Sequence, residues 1–432
     1  MAGGESAILG LVVGIDFGTT NSSVARLLPD SRVELAQFPY GPGVTETFRS
    51  LLYLEKGARG SLHAWAGPRA IEHYLQAEPK GRLVQSLKSF LSNADLKGTE
   101  VFGRFYTVEE LIARMLREIR EQAETVFGAP VIEAVVGRPV RFVGSSGPDV
   151  DELALGRLRI AFQQAGFARV EFAYEPLGAA CHYESTLDHE ELILIGDFGG
   201  GTSDFSLLRV GPGVERQQAI AGHAGVGFAG DAFDARIVRH LVSPALGAGT
   251  RLSSMGKLLP VPGWVYHKLE RWHHLSFLRS RDVMHMLDSV RTQAEEPEKI
   301  DALMLLIEED LGLELHRAVQ ETKVALSQHP RAPFHFGRGD GEIRAEVTRH
   351  EFENWIEEEL NLMAGCVDGL LVQAGVAATA VDAVFLTGGT SLVPAVRRIF
   401  EHRFGAAKIR AGGEFTSVAR GLAMLGAAHQ AE

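Results

Sequence analysis

Two stretches of this chain repeat one pattern at a distance. Residues 9–28 (LGLVVGIDFGTTNSSVARLL) read as a strand rich in β-branched residues, a Gly/Thr turn and a second alternating strand. Residues 191–210 (ELILIGDFGGGTSDFSLLRV) read the same way, with Asp-Phe-Gly again at the turn. The two aspartates, Asp16 and Asp197, stand 181 residues apart, far beyond the period of about 20–50 residues that marks a solenoid. A duplicated α/β unit accounts for the spacing, with each copy offering a hairpin loop to a shared cleft. One such hairpin would mean only a tight turn; a pair with matching acids argues for two phosphate-binding loops. The 48 glycines concentrate beside strand-like runs, which excludes a plain helical bundle.

The segments around the hairpins extend this plan. Residues 108–127 have apolar residues at helical spacing, 131–142 are strand-like, and 151–167 are a periodic helix with Gly166 as its stop. A short strand, VEFAYEP, leads into a small-residue helix, LGAACHYES. Residues 231–242 read as a helix, and about 250–310 as a long, mostly helical stretch. There Pro297 suits a first helical turn, and IDALMLLIEEDLGLELHRAV continues it. Residues 381–405 read as a buried strand, a Gly-Gly turn and a helix, and 417–430 as a last small-residue helix.

Composition narrows the function. The net charge of −12 argues against a general nucleic-acid binder, which needs a basic face. Two cysteines, Cys181 and Cys366, make neither a disulfide framework nor a metal-ligand spacing. The apolar run 7–15 is too short to span a bilayer and lacks the flanks of an export signal, so a cytoplasmic protein without a membrane partner is expected. His267 and His274 are seven apart on one predicted helix face, among Trp264, Trp272, His273 and His285. No cysteine or well-spaced carboxylate completes a metal set there, so packing or a partner surface is the expectation.

The two turns have a definite chemistry. Glycine lets the backbone approach a polyphosphate closely and aim its N–H groups at the oxygens. Thr19, Thr20 and Thr202 add hydroxyl donors. Asp16 and Asp197, facing each other across the cleft, would hold Mg²⁺ through its water shell, since magnesium dehydrates reluctantly. A third turn, FLTGGTSLVP, places Gly388 and Gly389 at a strand C-terminus before a helix, where flat rings and phosphates bind. GVGFAG (225–230) matches GxGxxG, but no acid follows about 20 residues on, so a dinucleotide site is set aside.

Two phosphate loops followed by a late Gly-Gly turn resemble the actin/hexokinase/heat-shock-chaperone ATPase superfamily. Within it, GIDFGTTNS, GDFGGGTSDFSLL and YEPLGAA resemble the ATPase domain of the 70-kDa heat-shock chaperones (DnaK type). The crossover lacks that family's usual Asn and Thr. The resemblance covers nearly the whole chain, is weakest over 250–310, and is most like the short YegD-like form without a peptide-binding domain. It implies an α/β, two-lobed actin-like ATPase fold of duplicated RNase H-like lobes with helical and mixed insertions. Lobe I would be 1–188, with a side insertion at about 38–106; lobe II 189–410, with a largely helical insertion at about 230–341; and 411–432 a helix returning to lobe I.

The same resemblance implies ATP or ADP with Mg²⁺ as cofactors and assigns residues. Asp16 and Asp197 match the acids that hold the metal's waters. Gly18, Thr19, Thr20 and Asn21 match the first phosphate loop, and Gly199, Gly200, Gly201 and Thr202 the second. Lys88 looks like the lysine that reaches the γ-phosphate, Glu175 like the crossover glutamate beside the attacking water, and Asp204 like the acid after the second loop. Read without the family, Lys88 is a solvated helix lysine and Glu175 a helix cap. Gly230 and Asp231, then Lys323 and Ser327 of QETKVALS, then Gly388, Gly389 and Thr390 match nucleoside neighbours. Val324 and Leu392 stand where the family usually has two arginines that sandwich adenine, and Asn21 replaces a more usual aromatic. An ATP-hydrolysing, chaperone-like protein is expected, with clients or a co-chaperone engaging the lobe II insertion. A small-molecule kinase, or a non-catalytic nucleotide-gated scaffold or filament protein, are the alternatives.

Overall fold

The structure, a computed structural model, describes residues 10–57, 61–77, 81–184, 186–214, 219–254, 257–271, 278–337, 339–410 and 416–431. Its main strands are β1 (Leu11–Phe17), β2 (Asn21–Leu27), β3 (Val33–Leu35), β4 (Phe48–Arg49), β5 (Val131–Arg138), β6 (Arg169–Tyr174), β7 (Glu191–Phe198), β8 (Ser203–Val210), β9 (Ile220–Val226), β10 (Ala383–Thr387) and β11 (Ile409–Arg410). The helices that bear on the site are α1 (Val108–Phe127), α2 (Pro148–Gln164), α3 (Glu175–Glu184), α4 (Gly230–Ile237), α5 (Pro297–Glu308), α6 (Gly312–Gln328) and α7 (Ser417–Ala431).

The sequence repeat is a repeat of sheet topology. One sheet runs β6-β5-β1-β2-β3, with β4 also on β2, and the other runs β9-β8-β7-β10-β11. In each, a hairpin (β1/β2 or β7/β8) carries an antiparallel third strand on one side and two parallel strands on the other. Asp16 and Asp197 are the penultimate residues of the equivalent strands β1 and β7. The chain forms two compact units, residues 1–227, 365–391 and 400–432 in the first, and 228–364 and 392–399 in the second. Both sheets belong to the first unit, so a boundary at 188/189 falls inside it, between the sheets.

Local chemistry sets the element ends. Thr107 and Glu110 form a reciprocal capping box at the start of α1, and Gly128 at φ +69° ends it. Gly166, at φ +98°, follows α2 as the sequence predicts. The small residues of α3 and α7 have a packing reason. A Cβ on Gly14 of β1 would lie 2.2 Å from the Ala423 backbone nitrogen, and one on Gly421 would lie 1.7 Å from the Gly178 carbonyl oxygen. Helix α7 therefore lies directly on β1 and α3.

The side insertion is mixed, as expected. A three-stranded sheet of Leu62–Ala66, Leu51–Lys56 and Arg82–Gln85 packs with a helix, Gly67–Gln76, and is followed by a 3₁₀ turn, Leu87–Phe90.

The second unit corrects three local expectations. The 250–310 stretch opens with a β-hairpin, Arg251–Ser254 with Lys257–Pro260, before its helices begin. The helix starting at Pro297 does not continue; it stops at Glu308, Asp310 takes φ +52°, and α6 starts anew at Gly312. Glu308, Glu309 and Asp310 crowd negative charge at a helix C-terminus, where the macrodipole disfavours it. The helix predicted over 231–242 changes to π geometry over Val238–Val242. Trp272, His273 and His274 lie outside the described residues; His267 is exposed, 3.6 Å from the Glu270 carboxylate that Arg239 also binds.

Candidate functional site

Each glycine turn is held in a particular way. After the Phe17–Ser22 pair, the loop closes so tightly that a Cβ on Gly18 would lie 2.1 Å from the Asn21 carbonyl oxygen. The Thr20 carbonyl accepts from the Ser50 amide at 2.9 Å, and the Asn21 side-chain oxygen accepts from Arg49 at 3.5 Å. In the second loop the Gly199 amide donates to the Thr202 carbonyl at 3.0 Å, while a Cβ on Gly201 would meet only open space. The third turn abuts the second. Gly388 has φ +83°, and a Cβ there would lie 2.0 Å from the Phe198 carbonyl oxygen, so glycine is required twice over. The neighbouring Thr387 hydroxyl donates to Asp197 Oδ1 at 2.9 Å, and Thr390 is buried.

Beside these loops lies a buried ion pair between residues far apart in sequence. Lys88, on the 3₁₀ turn, places Nζ 2.8 Å from Glu175 Oε1. Glu175 and Pro176, read from the sequence as the end of a strand, occupy the first turn of α3. Gly137 of β5 makes room for the carboxylate, since a Cβ there would lie 2.9 Å from Glu175 Cγ. Lys88 is only 8% exposed, which removes the reading of a solvated helix lysine.

Three aspartates share this environment. Burial pushes Asp16 up to about 8, with Glu175 and Asp197 adding repulsion and Lys88 opposing it. Burial likewise pushes Asp197 to about 6, with repulsion from Glu175 partly offset by the Thr387 hydrogen bond. Asp204, directly across the ladder from Asp197, is pushed by burial and by Asp197 to about 8. Burial opposes the Lys88 ammonium, but Glu175, Asp16 and Asp197 hold its pKa above the usual value. Four carboxyl groups thus face one ammonium, an excess of hard oxygen donors that suits a divalent cation bound through its waters. Among the described residues no group of three or more His, Cys, Asp or Glu is placed to ligate a metal directly.

The residues assigned to the nucleoside are arranged within the second unit, apart from Gly388, Gly389 and Thr390, which are in the first. Lys323 on α6 pairs with Asp234 of α4 at 2.6 Å and donates to the Gly230 carbonyl at 3.3 Å, and Gln320 donates to the other Asp234 oxygen at 3.1 Å. Asp231 lies in the first turn of α4, and the Ser327 hydroxyl donates to the Lys323 carbonyl at 3.0 Å. Val324 and Leu392 are 55% and 51% exposed. Sequence reasoning missed Thr387 and Asp234. Thr387 carried the only signal available, its place immediately before the Gly-Gly turn.

Residues 84–247 and 284–432 match the family model described as Hsp70 protein. The chaperone protein DnaK of Thermosipho africanus is 27% identical over 415 residues, covering 96% of this chain and 58% of that protein. The DnaK of Thermus thermophilus is 25% identical over 427 residues, covering 95% of this chain and 60% of that protein. The chain therefore spans about three-fifths of the length of these curated relatives. With duplicated sheets of the actin-like ATPase class and a family match on both sides of residues 248–283, this chain belongs to the Hsp70 family.

Proposed function

We propose that the chain binds ATP with Mg²⁺ and hydrolyses it to ADP and phosphate. The observation that carries this reading is the buried Lys88–Glu175 pair, 2.8 Å apart, set among Asp16, Asp197 and Asp204. Gly18, Thr19, Thr20 and Asn21, with Gly199, Gly200, Gly201 and Thr202, hold the phosphates through amides and hydroxyls. Asp16 and Asp197 hold the magnesium's waters, and the Thr387 hydroxyl fixes the Asp197 rotamer by occupying Oδ1. Bound Mg²⁺ would supply charge neutralisation at the phosphate oxygens. The Lys88 ammonium stabilises negative charge on the transferred phosphoryl group, and Glu175, paired with that lysine, orients the attacking water. Asp204, the acid after the second loop, stands directly across the ladder from Asp197.

The nucleoside belongs to the same proposal. Gly230, Asp231, Lys323 and Ser327 are its polar neighbours, Gly388, Gly389 and Thr390 line the late turn, and Val324 and Leu392 offer aliphatic walls in place of planar cations. A chaperone-like use of the cycle is supported by the family and by the relatives' name. Protein clients or a co-chaperone would engage the 230–341 insertion, and the setting would be cytoplasmic. No helix among the described residues is long and apolar enough to cross a membrane.

The test is phosphate release from purified protein with Mg-ATP, with and without candidate sugars. Sugar-independent release that Asp197→Asn lowers tens- to hundreds-fold is expected, because each contact to developing phosphate charge is worth about 2–4 kcal/mol. ADP formation that requires a sugar and yields no free phosphate would indicate a kinase, because the phosphoryl group then goes to the sugar hydroxyl. Nucleotide binding without release would indicate a nucleotide-gated scaffold. Hydrolysis unchanged in Asp197→Asn would refute the two-loop site.

A further inference from the structure

We propose that Arg157, which belongs to none of the phosphate-facing motifs, is a positioning residue for Lys88. Its guanidinium fixes the loop that carries the lysine. The inference rests on the hydrolytic reading above and names a residue that sets how precisely that site is held.

Lys88 sits on a poor platform. It occupies a single 3₁₀ turn, entered through Ser86 at φ +55° and closed by two backbone bonds, Ser89 to Ser86 at 3.0 Å and the longer Leu91 to Lys88 at 3.3 Å. A non-glycine residue in the left-handed region persists only where its surroundings over-determine it. The chain then runs irregularly to residue 97; the Phe90 carbonyl accepts from the Asn93 amide at 3.1 Å, and the carbonyls of Leu91, Asn93 and Leu96 lie outside any strand or helix ladder.

Arg157 reaches these carbonyls from α2. Nη1 donates to Phe90, Leu91 and Asn93 at 3.3, 3.2 and 3.1 Å, and Nη2 donates to Leu96 at 3.0 Å. Nε donates to Glu109 Oε1 at 2.5 Å, in the first turn of α1. The arginine is itself buried. One planar fork thus ties the Lys88 loop to two helices, and the Ser92 hydroxyl adds a bond to the Val143 carbonyl. Lysine could keep the charge opposite Glu109, but a single ammonium cannot span carbonyls spread over seven residues. Without the fork the loop loosens, and Nζ of Lys88 wanders from its place beside Glu175. A misplacement of about 1 Å can lower a rate by about a hundredfold while leaving ground-state contacts largely intact.

The experiment compares wild type, Arg157→Lys, Arg157→Gln, Lys88→Ala and the Arg157→Lys/Lys88→Ala pair. Single-turnover phosphate release, ADP affinity by calorimetry and amide exchange over residues 87–97 are measured on each. Arg157→Lys is expected to slow turnover about tenfold, leave ADP affinity within about twofold, and speed exchange in 87–97. It should add nothing once Lys88 is gone, because coupled residues are not additive. Arg157→Gln should show the same pattern, so the idea remains testable if one variant folds poorly. Wild-type turnover in both Arg157 variants, with Lys88→Ala inactive, would overturn the positioning role. So would an equal further loss on the Lys88→Ala background, which is what general destabilisation gives. Wild-type turnover in Lys88→Ala would instead overturn the hydrolytic reading, and faster exchange in Arg157→Lys would still report the clamp itself.

Discussion

Replacing Asp204 by asparagine tests whether the acid cluster is buried and mutually repelling as the geometry requires. Asp204 ionises near 3.8 in an unfolded chain but only at about 8 in the folded protein. Between those values the folded state holds one more proton than the unfolded state. Stability from this group is therefore complete below pH 3.8 and is lost as pH rises through about 8. One proton changes stability by about 1.4 kcal/mol per pH unit, so the span amounts to about 6 kcal/mol at most. An asparagine side chain cannot ionise and matches the neutral acid in shape, so Asp204→Asn removes this term. The assay is urea unfolding of nucleotide-free protein in a metal chelator at pH 5, 6, 7 and 8. The variant should gain on wild type by about 1 kcal/mol per pH unit over that range, with Asp16 and Asp197 leaving a residual slope in both. Parallel stability curves for the two proteins would refute the reasoning, because they would mean that Asp204 ionises freely in the fold.

Lys88→Ala should lose nearly all turnover while ADP affinity stays within a few-fold; single-turnover release and an ADP titration check this, and equal loss of both would make Lys88 a general phosphate contact. Gly388→Ala should destabilise the protein by about 2–4 kcal/mol, since it adds a strained φ and a clash with the Phe198 carbonyl; denaturant unfolding measures it. Leu392→Arg should tighten ATP binding by up to about thirty-fold through one cation–π contact of roughly 0.5–2 kcal/mol. Calorimetry with ATP, GTP and tripolyphosphate decides that prediction, and an equal gain for tripolyphosphate would show a simple charge effect.

Much of the fold was written locally. Strand alternation with Asp-Phe-Gly turns placed both hairpins, and the helical spacing of apolar residues over 108–127 gave α1 its observed bounds. The glycines of the three turns were legible because backbone approach and positive φ admit few other residues. The local signal failed where two readings of the same residues compete. The 251–260 hairpin sits in a stretch whose average pattern is helical, and the acids at 308–310 stop a helix that apolar periodicity alone would extend.

The sequence by itself determined the duplicated α/β plan, the phosphate-type loops and the two acids that end equivalent strands. Turn chemistry and side-chain period act over a few residues and can be read from them. Only the tertiary structure decided which charges are buried and with whom. Lys88 meets Glu175 across 87 residues, Thr387 meets Asp197 across 190, and Arg157 reaches back to the loop that carries Lys88. A lysine in SLKSFL reads alike whether it is solvated or enclosed. Its environment depends on desolvation and on partners that distant segments bring, and neither leaves a mark in the neighbouring sequence.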